Sequence, residues 1–248
     1  MIPLFKSHYS IGKSILTLSS NKDENFSDSI FSIAEEYGLN KIVLVEDSLV
    51  GFLEAYTKSK SLGLQLIYGL RVSVSESLSD TDSSHKIIVF ARNGEGSKLL
   101  NKIYSFAFTE GEGSIPMEEL KRLWSDSSLK MAIPFYDSFI FKNIMSFNSC
   151  VPEFDFAKPI FFLENNFLPF DSEVFKGVES FCAKNNFSMH KAKSIYYKYR
   201  EDFDAYQTYR IVCSRSMGGR QKSLQVPNLD HMGSREFCFD SYLDNLEG

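Results

Sequence analysis

Two adjacent carboxylates, Glu46 and Asp47, follow the apolar run 41–45. A helix-like segment and a second apolar run, 64–74, come next, and this second run contains Arg71. Aliphatic and β-branched runs that alternate with a helical segment predict a strand–helix–strand crossover between parallel strands. In parallel sheets, chemistry lies at the carboxyl ends of the strands. Glu46 and Asp47 therefore stand where metal ligands or acid–base groups are expected, whereas Arg71 places a cation at such a strand end.

The rest of the chain repeats this alternation. About seven strand candidates occur along the 248 residues, most of them followed by a helix, and no Pro/Gly-rich linker separates them. Besides the two runs above, they include 86–91, 130–133, 159–163 and 189–197. A single α/β barrel built from βα repeats is the simplest architecture for this pattern.

The composition predicts a globular protein, since 43% hydrophobic residues are ample for a buried core. The net charge is −5, whereas a protein that binds nucleic acid by itself usually has an excess of basic residues. We therefore expect weak or indirect nucleic-acid contact. No signal-like segment and no apolar run of eighteen residues is found, which predicts a cytoplasmic protein without a membrane partner. The four cysteines contain no CxxC pair and are expected to be reduced thiols.

Short phrases along nearly the whole chain resemble one family. The most specific phrase is 89–96, which continues through 99–100 to the turn 105–111, and 67–72 and 236–237 are also similar. Together they resemble the PHP (polymerase and histidinol phosphatase) domain of bacterial DNA polymerase III alpha subunits. The resemblance implies a distorted (β/α)7 barrel over residues 1–216. It also implies that 217–248 form a tail, which would lead toward a polymerase palm in a full-length alpha subunit.

Active members of that family hold a metal cluster at the strand ends and hydrolyse phosphoesters or proofread. In this sequence several of the implied ligand positions carry side chains that cannot coordinate a metal. Protonated lysine and arginine have no free lone pair, and both repel a second cation. The implied ligand positions fall on Leu4, Lys6, Val45, Glu46, Asp47 and Arg71, with a late pair near Ser194 and Tyr196.

Three donors remain near these positions, namely His8, Glu46 and Asp47. They could form a residual single-metal site for zinc or manganese. We prefer the interpretation that they are turn residues and that Lys6 or Arg71 pairs with one of the carboxylates where the family holds metal. We therefore expect no catalytic residue, no metal and no other cofactor. His85, in the polar segment 77–85, is expected to be a surface or satisfied loop histidine.

The resemblance thus implies a catalytically inactive PHP domain of a replicative polymerase alpha subunit, from a bacterial or phage source. Such a domain would support other polymerase domains and dock replication proteins, for example a proofreading exonuclease. Two alternatives stay open. One is a metal-dependent phosphoesterase or 3′–5′ exonuclease with a rearranged ligand set, and the other is a free-standing interaction protein associated with replication. Whether the chain is an excised domain or a whole gene product also stays open.

Overall fold

The computed structural model describes residues 1–19, 28–77, 83–147, 149–214 and 231–247. Its strands are β1 (Ile2–Phe5), β2 (Lys41–Glu46), β3 (Gln65–Ser75), β4 (His85–Ala91), β5 (Ser114–Pro116), β6 (Leu129–Ile133), β7 (Ile160–Leu163) and β8 (Ser188–Ile195). Its helices are α1 (Ile30–Glu36), α2 (Phe52–Ser61), α3 (Gly94–Thr109), α4 (Met117–Arg122), α5 (Phe139–Ser146), α6 (Asp171–Asn185), α7 (Phe203–Cys213) and α8 (Phe239–Glu247). None of these helices combines the length and apolar character that crossing a membrane requires.

Seven strands close into a barrel. Their order around the ring is β2–β1–β8–β7–β6–β4–β3, and β3 pairs back onto β2 to close it. The short strand β5 adds to β3 outside the ring. Helices lie around the barrel, so the expected α/β fold and distorted seven-stranded barrel are confirmed.

The predicted crossover is present as β2–α2–β3. The two strands pair in parallel, with Val43 opposite Ile67 and Val45 opposite Gly69. Gly63 ends the turn after α2 with a positive φ of 68°, a conformation that glycine adopts without the steric penalty of a Cβ atom. The chain can therefore reverse directly from the helix into β3.

The distortion of the barrel comes from β4. This strand runs antiparallel to both of its neighbours, β3 and β6, whereas the other pairings around the ring are parallel. The described residues between β3 and β4 form no helix. As a result, the amino end of β4 lies at the rim where the other strands have their carboxyl ends. The outside of the β3–β4 pair is covered by α3, the helix that follows β4.

Side chains fill both faces of the barrel wall. The interior is a small apolar core, and Gly69 is needed there because a Cβ atom at this position would lie 2.5 Å from the Phe90 ring. Two larger cores lie between the strands and the surrounding helices. This alternation follows from the period of two in a strand. The buried interior residues are Leu4, Val43, Val45, Ile88, Phe90, Ala132, Phe162 and Ala192.

The last described segment, 231–247, packs on the barrel. Phe237 and Phe239 are fully buried, and they belong to different outer cores. The Phe237 ring stacks on Tyr196 at 5.2 Å, and the Phe239 ring lies 6.0 Å from Phe5. Part of the predicted tail thus contributes to the barrel's packing, while residues 215–230 lie outside the described ranges. The connection toward a palm stays a prediction.

Replacing Phe237 with alanine tests this packing. Because the change removes a fully buried ring that stacks on Tyr196, we expect the free energy of unfolding to fall by about 3–5 kcal/mol in a urea titration followed by circular dichroism. Phe147→Ala is the control, since that ring is 93% exposed, and should change stability by less than about 0.5 kcal/mol. Equal losses in the two variants would contradict the anchoring of this segment.

Candidate functional site

The candidate site lies at the barrel rim formed by the carboxyl ends of the parallel strands. Lys6 follows β1, Asp47 follows β2, and β3 brings Arg71 to the same rim. Lys86 joins them because β4 runs in the opposite direction: Arg71 pairs with Ile88, and Lys86 lies two residues before Ile88 on the same face of β4. The rim therefore collects basic side chains from three strands or strand ends.

A chain of ion pairs crosses this rim. The Lys6 ammonium lies 3.1 Å from Asp47, and Arg71 lies 3.9 Å from the same carboxylate oxygen. The other side of the Arg71 guanidinium donates to Asp137 at 2.5 Å. The predicted pairing of Lys6 or Arg71 with Glu46 or Asp47 is thus present: both cations lie beside Asp47, and Arg71 also pairs with Asp137. Asp47 faces two cations and is already satisfied by them.

The charges in this chain reinforce one another. Burial alone would raise the pKa of Asp47, but the positive charges of Lys6 and Arg71 outweigh burial and lower the pKa to about 2. Burial would likewise lower the pKa of Arg71, yet Asp137 and Asp47 raise it above its usual value. Both groups therefore stay ionised at neutral pH, as the ion pairs require.

Glu46 serves a different purpose from its neighbour. Its carboxyl group is fully buried and accepts hydrogen bonds from the backbone N–H of Ser7, at 2.8 Å, and from the hydroxyl of Ser10. Burial raises its pKa, and the nearby Lys6 charge opposes the shift. The Ser10 hydroxyl in turn accepts from the Asp47 N–H at 2.9 Å. Through these hydrogen bonds Glu46 connects the turn after β1 to the end of β2.

His8 is half-buried, and its ring lies 4.4 Å from the ring of Tyr9. Its Nδ1 atom has no hydrogen-bond partner among the described residues. No group of three or more His, Cys, Asp or Glu side chains suited to hold a metal ion occurs in the described ranges. The fold consequently does not assemble His8, Glu46 and Asp47 into a three-ligand cluster.

Leu4 and Tyr196 occupy two further implied ligand positions, and both are packed. Leu4 belongs to the barrel interior, and Tyr196 stacks on Phe237. With Lys6 and Arg71 they line a cavity of only about 30 Å³. This volume holds one or two water molecules.

Sequence reasoning missed three residues of the rim: Lys86, Asp137 and Glu164. Glu164 is buried and accepts hydrogen bonds from the Ser194 N–H at 2.9 Å and from its hydroxyl at 2.8 Å. It directly follows the predicted strand 159–163, so applying the strand-end rule to every strand would have found it. Asp137 lies four residues beyond β6. Lys86 could be found only by knowing the direction of β4.

The prediction that His85 lies in a loop is wrong. His85 begins β4, is 2% exposed, and packs its ring 5.7 Å from that of Phe139. Burial lowers its pKa to about 4, which leaves the imidazole neutral at pH 7. The polar residues before His85 gave no sign in the sequence that β4 begins at this residue.

The model of the PHP domain family matches residues 18–142, half of the chain. This chain belongs to the PHP domain family. The matched residues include β2–α2–β3 and the antiparallel β4. Among solved structures, the PHP domain described here is similar to a proposed metal-dependent phosphoesterase from Bifidobacterium adolescentis. The two share 12% sequence identity with a TM-score of 0.37, over 65% of this chain and 79% of the other. No curated protein matches the chain.

The ion pairs of Asp47 make stability depend on pH. The folded-state pKa of about 2 lies below the ordinary value of 3.8, so the stabilisation is complete above pH 4 and is lost as the pH falls through 2. We expect Asp47→Asn to lower the free energy of unfolding by about 2 kcal/mol at pH 7 and by about half of that at pH 3.

Urea titrations at the two pH values measure this difference. Glu179→Gln, on the exposed side of α6, is the control and should change stability by less than about 0.5 kcal/mol at either pH. A loss in Asp47→Asn that is equally large at pH 3 and pH 7 would refute the assignment of the ion pairs to an ionised Asp47.

Proposed function

We propose that this PHP domain is a catalytically inactive part of a bacterial or phage DNA polymerase III alpha subunit. In this role it is a structural and protein-docking platform for DNA replication, with a proofreading exonuclease among its partners. The observation that carries the proposal is the chain of ion pairs from Lys6 through Asp47 and Arg71 to Asp137. Two cations stand in positions that the family resemblance assigns to metal ligands.

The donor set at the rim does not fit a metal cluster. A divalent ion needs several free anionic or imidazole donors, and Asp47 is already paired with Lys6 and Arg71. Withdrawing Asp47 from Lys6 would leave a buried ammonium without its carboxylate, which destabilises the rim. Metal binding would therefore have to disrupt the interactions that hold the rim together.

The remaining features support a platform that binds protein. The barrel wall is complete, the rim is closed by ion pairs, and the segment 231–247 is packed against the outside. The net charge of −5 favours protein partners over direct binding of nucleic acid. In this proposal the segment 217–248 connects the barrel to a polymerase palm.

Metal analysis and activity assays test the loss of catalysis. Purified protein is expected to contain zinc and manganese at well below one ion per chain, measured by plasma mass spectrometry. It should hydrolyse neither p-nitrophenyl phosphate nor single-stranded DNA when manganese is supplied. A tightly bound stoichiometric metal would overturn the proposal.

A second candidate is a metal-dependent phosphoesterase or 3′–5′ exonuclease with a rearranged ligand set. The observation in its favour is that four carboxylates lie at the same rim: Glu46 ends β2, and Asp47, Asp137 and Glu164 follow strands. Glu46→Ala and Asp47→Ala separate the possibilities. Manganese-dependent activity that both changes abolish would favour this candidate, whereas activity that neither change affects would indicate a contaminating enzyme.

The polymerase context has a separate test, the coding sequence beyond Gly248. We expect this reading frame to continue into a polymerase palm with its paired metal-binding carboxylates. A stop codon directly after Gly248, with no palm encoded nearby, would instead favour the free-standing interaction protein.

A further inference from the structure

A groove of about 500 Å³ lies on the outer wall of the barrel, far larger than the cavity at the rim. We name it the α2–α3 groove, after the two helices that form its sides. Its lining includes Phe52, Tyr56 and Ser59 of α2, Leu66 and Tyr68 of β3, and Leu100 of α3. Its volume falls in the range of small-molecule sites, about 300–1,000 Å³.

The groove lies between two helices that follow different strands, α2 after β2 and α3 after β4. In a regular repeat, a crossover helix covers each pair of neighbouring strands that it connects. β3 and β4 are antiparallel neighbours, and their described connection contains no helix. Helix α3 packs on β3 and β4 farther along the pair, and the first residues of β3, around Leu66, lie in the gap between α2 and α3.

Ser59 provides a polar group that the protein itself leaves unsatisfied. The residue is 2% exposed, and its hydroxyl has no hydrogen-bond partner among the described residues. A buried hydroxyl without a partner is unfavourable, and native structures contain few of them. Because Ser59 lines the groove, a polar atom of a bound molecule would give this hydroxyl its missing partner.

Three aromatic rings, those of Phe52, Tyr56 and Tyr68, also line the groove. Phe52 and Tyr56 stack with their centroids 5.9 Å apart, and Phe52 meets Tyr68 edge-on at 5.2 Å. Phe52 is 37% exposed and Tyr56 is 49% exposed. Exposed rings beside a concave, largely apolar surface are typical of a site that stacks a flat ligand.

The charge of the groove is positive. Lys60 and Arg92 line it, and the described lining contains no Asp or Glu. Both residues are exposed, and the Arg92 guanidinium donates to the Asp126 carbonyl oxygen at 3.1 Å. In a chain with a net charge of −5, two cations without a carboxylate in one groove favour an anionic ligand.

We infer that the α2–α3 groove binds a small molecule that combines an aromatic ring with one anionic group. The ring packs between Phe52, Tyr56 and the apolar floor, and the anionic group contacts Lys60 and Arg92. The Ser59 hydroxyl bonds a polar atom of the ring system. A standard protein interface needs about 800 Å² from each partner, far more than this groove offers. The inference does not depend on the role proposed for the rim.

Fluorescence titration with two matched probes tests the site. The probe 8-anilinonaphthalene-1-sulfonate carries an aromatic body and one anion, whereas N-phenyl-1-naphthylamine has nearly the same body without the anion. We expect saturable binding of the sulfonate with one site per chain and at least about tenfold weaker binding of the neutral probe. In Lys60→Gln/Arg92→Gln the sulfonate should bind about tenfold more weakly, and the neutral probe should be unaffected.

The charge-matched control is Lys98→Gln/Lys102→Gln, which removes two exposed α3 lysines outside the groove and should leave binding unchanged. Ser97→Trp fills the groove and should abolish binding of both probes. Unchanged urea unfolding midpoints ensure that the sulfonate does not report unfolded protein. If Ser97→Trp fails to fold, the Lys60/Arg92 comparison decides alone. Equal binding of the two probes, or unaltered sulfonate binding in Lys60→Gln/Arg92→Gln, would overturn the inference.

Discussion

The interactions of Arg71 with Asp137 and Asp47 determine the character of the barrel rim. A guanidinium held among side chains at the end of a closed barrel needs anionic partners, and these two carboxylates supply them. Lys6 then shares Asp47, so that the strand ends of β1, β2 and β3 and the segment after β6 are joined through charge. The space that remains is small because these side chains occupy it. The same contacts that stabilise the rim leave few free donors for other chemistry.

The direction of β4 affects both the barrel rim and the neighbouring outer wall. Because β4 is antiparallel, its first residues, including Lys86, lie at the rim with the carboxyl ends of the other strands. For the same reason no crossover helix is needed to connect β3 to β4, and α3, the helix after β4, packs on both strands. A single reversal in the sheet thus adds a cation to the rim and changes which helix covers the neighbouring wall.

Local sequence patterns predict much of this fold. Apolar runs such as 41–45 and 159–163 become strands of the ring, and the β2–α2–β3 crossover has the expected parallel register. The pairing of Lys6 or Arg71 with a carboxylate was also predicted, because these cations fall on ligand positions that the family resemblance implies. These features depend on residues close in sequence or on neighbouring strand ends.

Other features depend on contacts between distant segments. The apolar run 86–91 predicts a strand but does not predict its direction in the sheet. Only pairing with β3 and β6 determines which end of β4 lies at the rim. The short segment 236–239 shows no helical or strand periodicity. Phe237 and Phe239 are nevertheless fully buried, because each packs into a different outer core of the barrel. Asp137 joins the rim through its contact with Arg71, which lies 66 residues earlier.

The packing of segment 231–247 links the outside of the barrel mechanically to its rim. Phe237 stacks on Tyr196, which lines the rim cavity, and Phe239 approaches Phe5, the residue before Lys6. Through these two ring contacts, the start of α8 and the residues just before it support the lining of the rim cavity from outside the barrel.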